Sequence, residues 1–188
     1  YEEDESYGPP PLVTEGARVY TDFAYDFVKN PSNVLRPRLD VRMPTFPLNT
    51  NELNKIVTYW GNYGQTDFPF AGNMTVHQTA DERSAGLALF NKLQCMQCHT
   101  VGQKLVRSEM EGSKGLAPDL ARSYGRLKKD WIVALLKDPQ KMIPGTRMPG
   151  FWADNQSPAP DILKGDSQRQ MEVLADYVLS LGQGKKAD

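Results

Sequence analysis

At 188 residues the chain has room for one medium domain or two small ones. Its 22 Lys and Arg against 23 Asp and Glu leave a formal net charge of −1, which excludes the basic excess expected of a nucleic-acid binder. No apolar run approaches the roughly 20 residues that a membrane span requires, so no span is expected in this chain. The opening Tyr1-Glu-Glu-Asp-Glu-Ser6 reads as a solvated acidic tail. It lacks the charged and then apolar form of a secretory signal, which fits an upstream segment already removed. Asn49 with Glu52 forms a capping-box pattern, and Leu53, Ile56, Val57 and Trp60 continue a helix as far as Gly61. Gly64, Pro69 and Gly72 mark a linker. A second capping box, Thr79 with Glu82, opens a helix on which Gly86, Leu89, Phe90 and Leu93 share one apolar face.

That helix runs into Cys95-Met96-Gln97-Cys98-His99, which holds the only two cysteines and one of only two histidines. On a helix, positions three apart lie one turn apart on one face. Two thiols so placed can each bond one vinyl group of a porphyrin, while the following imidazole points at the iron. Cys-x-x-Cys-His is the c-type haem attachment motif. A structural zinc would need four ligands, and the whole Cys and His supply is Cys95, Cys98, His99 and His77, with Cys98 and His99 adjacent. A thioredoxin-like redox pair needs a βαβ setting, whereas these flanks read as helices. A plain disulfide leaves His99 unexplained.

Near the end, Ser167-Gln-Arg-Gln170 is a third capping-box pattern. Met171, Leu174, Tyr177, Val178 and Leu181 follow on one face, with Gly182 as a stop. Together with Gly86 and Phe90, the attachment motif, the loop Gly115-Leu-Ala-Pro-Asp-Leu120, a helix starting at Trp131, the segment Ile143-Pro-Gly-Thr-Arg-Met-Pro149 and Tyr177, residues 79 to 184 resemble class I cytochrome c. Residues 101 to 114 depart from the pattern and read as a surface insertion. The resemblance implies a first and a last helix that cross through Gly86 and Phe90 against Leu174 and Tyr177. It also implies that the Pro118 carbonyl accepts a bond from the ligating His99, and that Met148 is the sixth ligand of the iron. His77 is the rival for that position and would give a bis-histidine haem. A thioether ligand raises the reduction potential relative to a second imidazole. Trp131, Tyr124, Arg126 and Arg147 either donate to the haem propionates or stand on the rim. Lys128, Lys129, Lys185 and Lys186 are either a docking rim or solvated charges.

Shifted by 108 positions, the first part of the chain falls on the second. Pro10 and Leu12 meet Pro118 and Leu120, Arg18 meets Arg126, Asp22-Phe23 meet Asp130-Trp131, and Lys29-Asn-Pro31 meet Lys137-Asp-Pro139. After a three-residue insertion, Arg42-Met-Pro44 meets Arg147-Met-Pro149. The expected fold is therefore mostly α, with a class I cytochrome c domain preceded by a cytochrome c-like half domain. Residues 1–64 form the half domain without an attachment motif, 65–78 the linker, 79–184 the haem-binding domain and 185–188 a tail. One haem c is held covalently through Cys95 and Cys98, with His99 and Met148 as ligands of its iron and Pro118, Arg147 and Trp131 around it. Met43, which falls on Met148 in this repeat, is either a packing residue of a degenerate domain that lost its haem or the ligand of a second haem brought by another polypeptide or a cleaved upstream piece. The expected function is single-electron transfer between redox partner proteins, as a non-enzymatic subunit of a larger respiratory assembly. A companion subunit or an upstream piece covers residues 1–64. The setting is periplasmic or otherwise extracytoplasmic, with any membrane attachment made through a partner. The alternative is a haem enzyme or sensor with an open or displaceable sixth position.

Overall fold

The computed structural model describes residues 12, 14–31, 43–64, 76–102 and 117–183. The insertion read at 101–114, the linker core, Arg42, Lys185, Lys186 and the 185–188 tail lie wholly or largely outside them. The architecture is mostly helical, and the described residues include no strand, only an isolated antiparallel bridge between Val19 and Leu127. Among the described residues, the N-terminal unit has α1 (Glu15–Arg18), α2 (Thr21–Lys29) and α3 (Thr50–Tyr63). The second unit has α4 (Ala80–Lys92), α5 (Lys129–Lys137), α6 (Pro139–Met142) and α7 (Ser167–Ser180).

Local chemistry explains most of the helix starts. Asn49 Oδ1 accepts the Glu52 amide at 3.1 Å while Glu52 Oε2 accepts the Asn49 amide at 2.8 Å, a complete capping box on α3. Thr79 and Glu82 make the same reciprocal pair on α4. The third expected box is not formed. Asp166, one residue earlier, caps α7 by accepting the Arg169 amide at 3.0 Å, and Gln170 is wholly buried instead. A carboxylate makes the stronger cap at a positive helix end. The expected helix limits also shift slightly: α5 begins at Lys129, and α3 continues past Gly61 to Tyr63.

The core of the second unit gathers Leu89, Phe90, Trp131, Ile132, Leu136, Trp152, Met171, Leu174 and Leu179. Each such burial contributes about 1.5–3 kcal/mol relative to exposure. α4 crosses α7 at Gly86, where an added Cβ would stand 2.6 Å from Tyr177 Cβ, and the Phe90 and Tyr177 rings meet at 5.4 Å. After α7, Gly182 lies so close to Ala121 that a Cβ would come within 2.1 Å of its carbonyl oxygen.

Gln170 organises the chain between α6 and α7. Its amide nitrogen donates to the Ala159 and Ile162 carbonyls at 2.8 and 2.7 Å. Its oxygen accepts from Trp152 Nε1 at 3.2 Å and Ser157 Oγ at 2.8 Å. All the polar capacity of the amide is thus used inside the core.

The two units share a register. α2 and α5 have nine residues each and begin 108 positions apart, and the C-cap dihedrals of Asn30 (φ −144°, ψ 83°) and Asp138 (φ −147°, ψ 85°) nearly coincide. Buried Ala24 and Val28 match buried Ile132 and Leu136. The contact between the units is reciprocal. The Tyr20 amide donates to the Arg126 carbonyl at 3.0 Å, and the Lys128 amide to the Arg18 carbonyl at 2.9 Å. Arg18 lies over the Trp131 ring at 4.9 Å, and Arg126 over the Phe23 ring at 5.6 Å. Each contact becomes the other when matched positions are exchanged, which is the signature of a local two-fold relation.

Candidate functional site

α4 stops before the attachment motif. Gln94 adopts a left-handed conformation (φ 55°), and Cys95–Gln97 form one 3₁₀ turn. The expected α-helical placement of the motif is corrected accordingly. A 3₁₀ turn has three residues, so it still sets Cys95 and Cys98 one turn apart. The Cys98 and His99 amides both donate to the Cys95 carbonyl, at 3.3 and 3.0 Å. Both thiols are unpaired, Cys95 half-buried and Cys98 exposed. Burial, with a smaller contribution from nearby Cys98, pushes the Cys95 thiol up to about 11, so it keeps its proton at neutral pH.

The loop around Pro118 is bonded to this turn at successive points. The Ala117 amide donates to the Cys98 carbonyl at 3.2 Å, and the Leu120 amide to the Thr100 carbonyl at 2.8 Å. Asp119 Oδ1 accepts from the Gly102 and Ala121 amides at 2.8 and 2.9 Å. Between these, His99 Nδ1 lies 2.7 Å from the Pro118 carbonyl oxygen. A carbonyl only accepts, so Nδ1 carries the proton and the lone pair of the neutral ring sits on Nε2. That is the tautomer a metal-ligating histidine needs, held by a backbone partner.

Cys95, Met148 and Phe151 all pack against the core that contains Trp131 and Trp152. Met148 is half-buried, in the turn-rich segment after α6, and its amide donates to Thr146 Oγ1 at 3.3 Å. Trp131 is buried, and its indole N–H has no acceptor among the described residues. Arg147 and His77 are exposed, and Met43 is 40% exposed on the extended segment before α3. Tyr124 is half-buried beside Gly182. Two of the lysines read as a rim or as solvated charges are instead engaged within the chain. Lys128 Nζ donates to the Gly16 carbonyl at 2.9 Å, and Lys129 pairs with Asp176 at 2.7 Å. Among the described residues, no three His, Cys, Asp or Glu side chains converge as a zinc site would require.

Neither the contact of Arg18 with Trp131 nor the buried amide network of Gln170 was expected from the sequence. Arg18 carried one signal, its alignment with Arg126. Gln170 carried a misleading one, because it completes a capping-box pattern.

The cytochrome c family model matches residues 84–182. No curated protein and no solved structure matches the chain.

Proposed function

Because the chain belongs to the cytochrome c family, we propose that it passes single electrons through one haem c, which Cys95 and Cys98 would anchor covalently and whose iron His99 and Met148 would ligate. The observation that carries this assignment is the tight Cys95–Gln97 turn, closed by Cys98 and followed by a histidine whose Nδ1 is tied to Pro118. When bound, the haem supplies the one-electron chemistry. The chain supplies the rest. Cys95 and Cys98 would hold the group through their sulfurs. Pro118 fixes the ring of His99, and the Gln170-centred loop shapes the segment that follows Met148. A buried indole N–H without an acceptor also fits a cofactor that brings carboxylates.

Histidine and methionine together favour a relatively high potential. The chain serves as a subunit of a larger respiratory assembly outside the cytoplasm, exchanging electrons with protein partners and reaching any membrane through them. No helix among the described residues is long and apolar enough to cross a membrane. The N-terminal unit corresponds to the C-terminal part of a second cytochrome c domain. The shared register of α2 and α5 and the exposed Met43, Phe46 and Tyr59 support a companion helix that covers this unit, brings a second haem and takes Met43 as ligand.

Two experiments check the principal assignment. Haem should stay on the wild-type chain through acid and organic denaturation and be lost from Cys95→Ala/Cys98→Ala; extractable haem in the wild type would refute covalent attachment. Met148→Ala should lose the near-infrared methionine-to-iron band and become high-spin or ligand-exchanged, binding carbon monoxide or cyanide. An unchanged spectrum would move the sixth ligand elsewhere, and a high-spin wild type would favour an enzyme or sensor. More than one haem per chain in the native particle would support the companion helix.

A further inference from the structure

The junction between the two units brings together two residues that each carry a buried donor with no acceptor among the described residues. Arg18 ends α1 of the N-terminal unit, and its guanidinium is fixed from two directions. Glu15 Oε1 accepts from Nη1 at 3.0 Å, and Cζ lies 4.9 Å from the centre of the Trp131 ring. Its carbonyl is held by the Lys128 amide. Arg18 Nε is nevertheless buried without a partner, and so is Trp131 Nε1. A buried donor left unmade costs about 1–3 kcal/mol, and folded proteins leave few such groups. Two of them in one place, one cationic, call for an anionic oxygen that the described residues do not provide.

We propose that Arg18, reaching across from the N-terminal unit, binds a carboxylate of the haem held by Cys95, Cys98 and His99, with Trp131 as the second donor. The proposal rests on the haem reading above. A guanidinium and an indole N–H are suited to one carboxylate, and bonds to an ionised acceptor are shorter and stronger than neutral ones. The consequence concerns redox equilibrium as well as binding. A cation beside the haem disfavours the oxidised form, which carries one more positive charge. The N-terminal unit is thereby part of the device that sets the potential of its neighbour.

The test uses the full haem-loaded chain, titrated against a one-electron mediator. Arg18→Gln should keep its covalent haem and its methionine-to-iron band. It should shift the equilibrium several-fold toward the oxidised form; a tenfold shift corresponds to about 59 mV. Arg18→Lys should fall between, because it keeps the charge but loses the planar fork. Trp131→Phe retains the ring beneath Arg18 and removes only the N–H, so it should shift the equilibrium in the same direction. The Arg18→Gln/Trp131→Phe pair should then give less than the sum of the two shifts, as two donors to one carboxylate would. An unchanged equilibrium in Arg18→Gln, or in Trp131→Phe if the first variant does not fold, overturns the proposal. A wild-type chain without covalent haem overturns the underlying reading instead, and haem content distinguishes the two failures.

Discussion

Gln170→Glu is expected to destabilise the second unit by about 3–5 kcal/mol at pH 8, the scale of leaving one buried charge uncompensated. The side chain is fully buried, and its nitrogen donates to two backbone carbonyls, those of Ala159 and Ile162. A carboxylate would aim an acceptor at those two oxygens. Protonation restores one donor but not both, so at pH 5 the loss should shrink to the 1–3 kcal/mol of an unmade bond. The sign follows from linkage. Burial raises the folded-state pKa of the new carboxyl above its unfolded value, so the native state binds the extra proton. Stability is therefore highest below the ordinary carboxylate range and falls as pH rises through the raised pKa. Urea denaturation of wild type and variant at the two pH values checks this. Equal losses at both would mean that the site takes a charge without burial.

Gly86→Val should lower the melting temperature by about 6–12 °C, from about 3 kcal/mol at about 2–4 °C per kcal/mol for a chain of this size. The Cβ alone would approach Tyr177 Cβ to 2.6 Å, its Cγ to 3.1 Å and the Val173 carbonyl oxygen to 3.2 Å. Two of these three atoms belong to the start of a side chain or to backbone, so no far rotamer can swing away. The α4–α7 crossing itself must open. Gly86→Ala is the informative control, since alanine favours helix by about 1 kcal/mol over glycine. Its melting temperature should still fall, by less than that of valine. An alanine variant at or above wild-type stability would show that the crossing has slack.

The features legible in the sequence were those written in short windows. The boxes at Asn49 and Thr79 need only residues three apart, and the spacing of Cys95, Cys98 and His99 carries its chemistry in five positions. The mostly helical fold followed from apolar periodicity. Where a pattern had two uses, it misled. Ser167 and Gln170 spell a cap, but Asp166 was the better acceptor and the amide was needed inside the core. The left-handed Gln94 carried no signal, because a non-glycine residue at positive φ is held there by its surroundings. Lys128 and Lys129 resembled solvent charges because their acceptors, Gly16 and Asp176, lie 112 and 47 positions away.

The exchange of matched residues between the units has a consequence for how the molecule tolerates mutation. Two copies of one short chain meeting in this way would share a gene, so any substitution at the arginine or the aromatic would strike both contacts at once. Within a single polypeptide each contact is encoded separately. Tyr20 and Lys128 already differ, as do Phe23 and Trp131, while both backbone bonds and both arginine–ring contacts remain. One side can therefore specialise toward its own ligand while the other keeps the halves together.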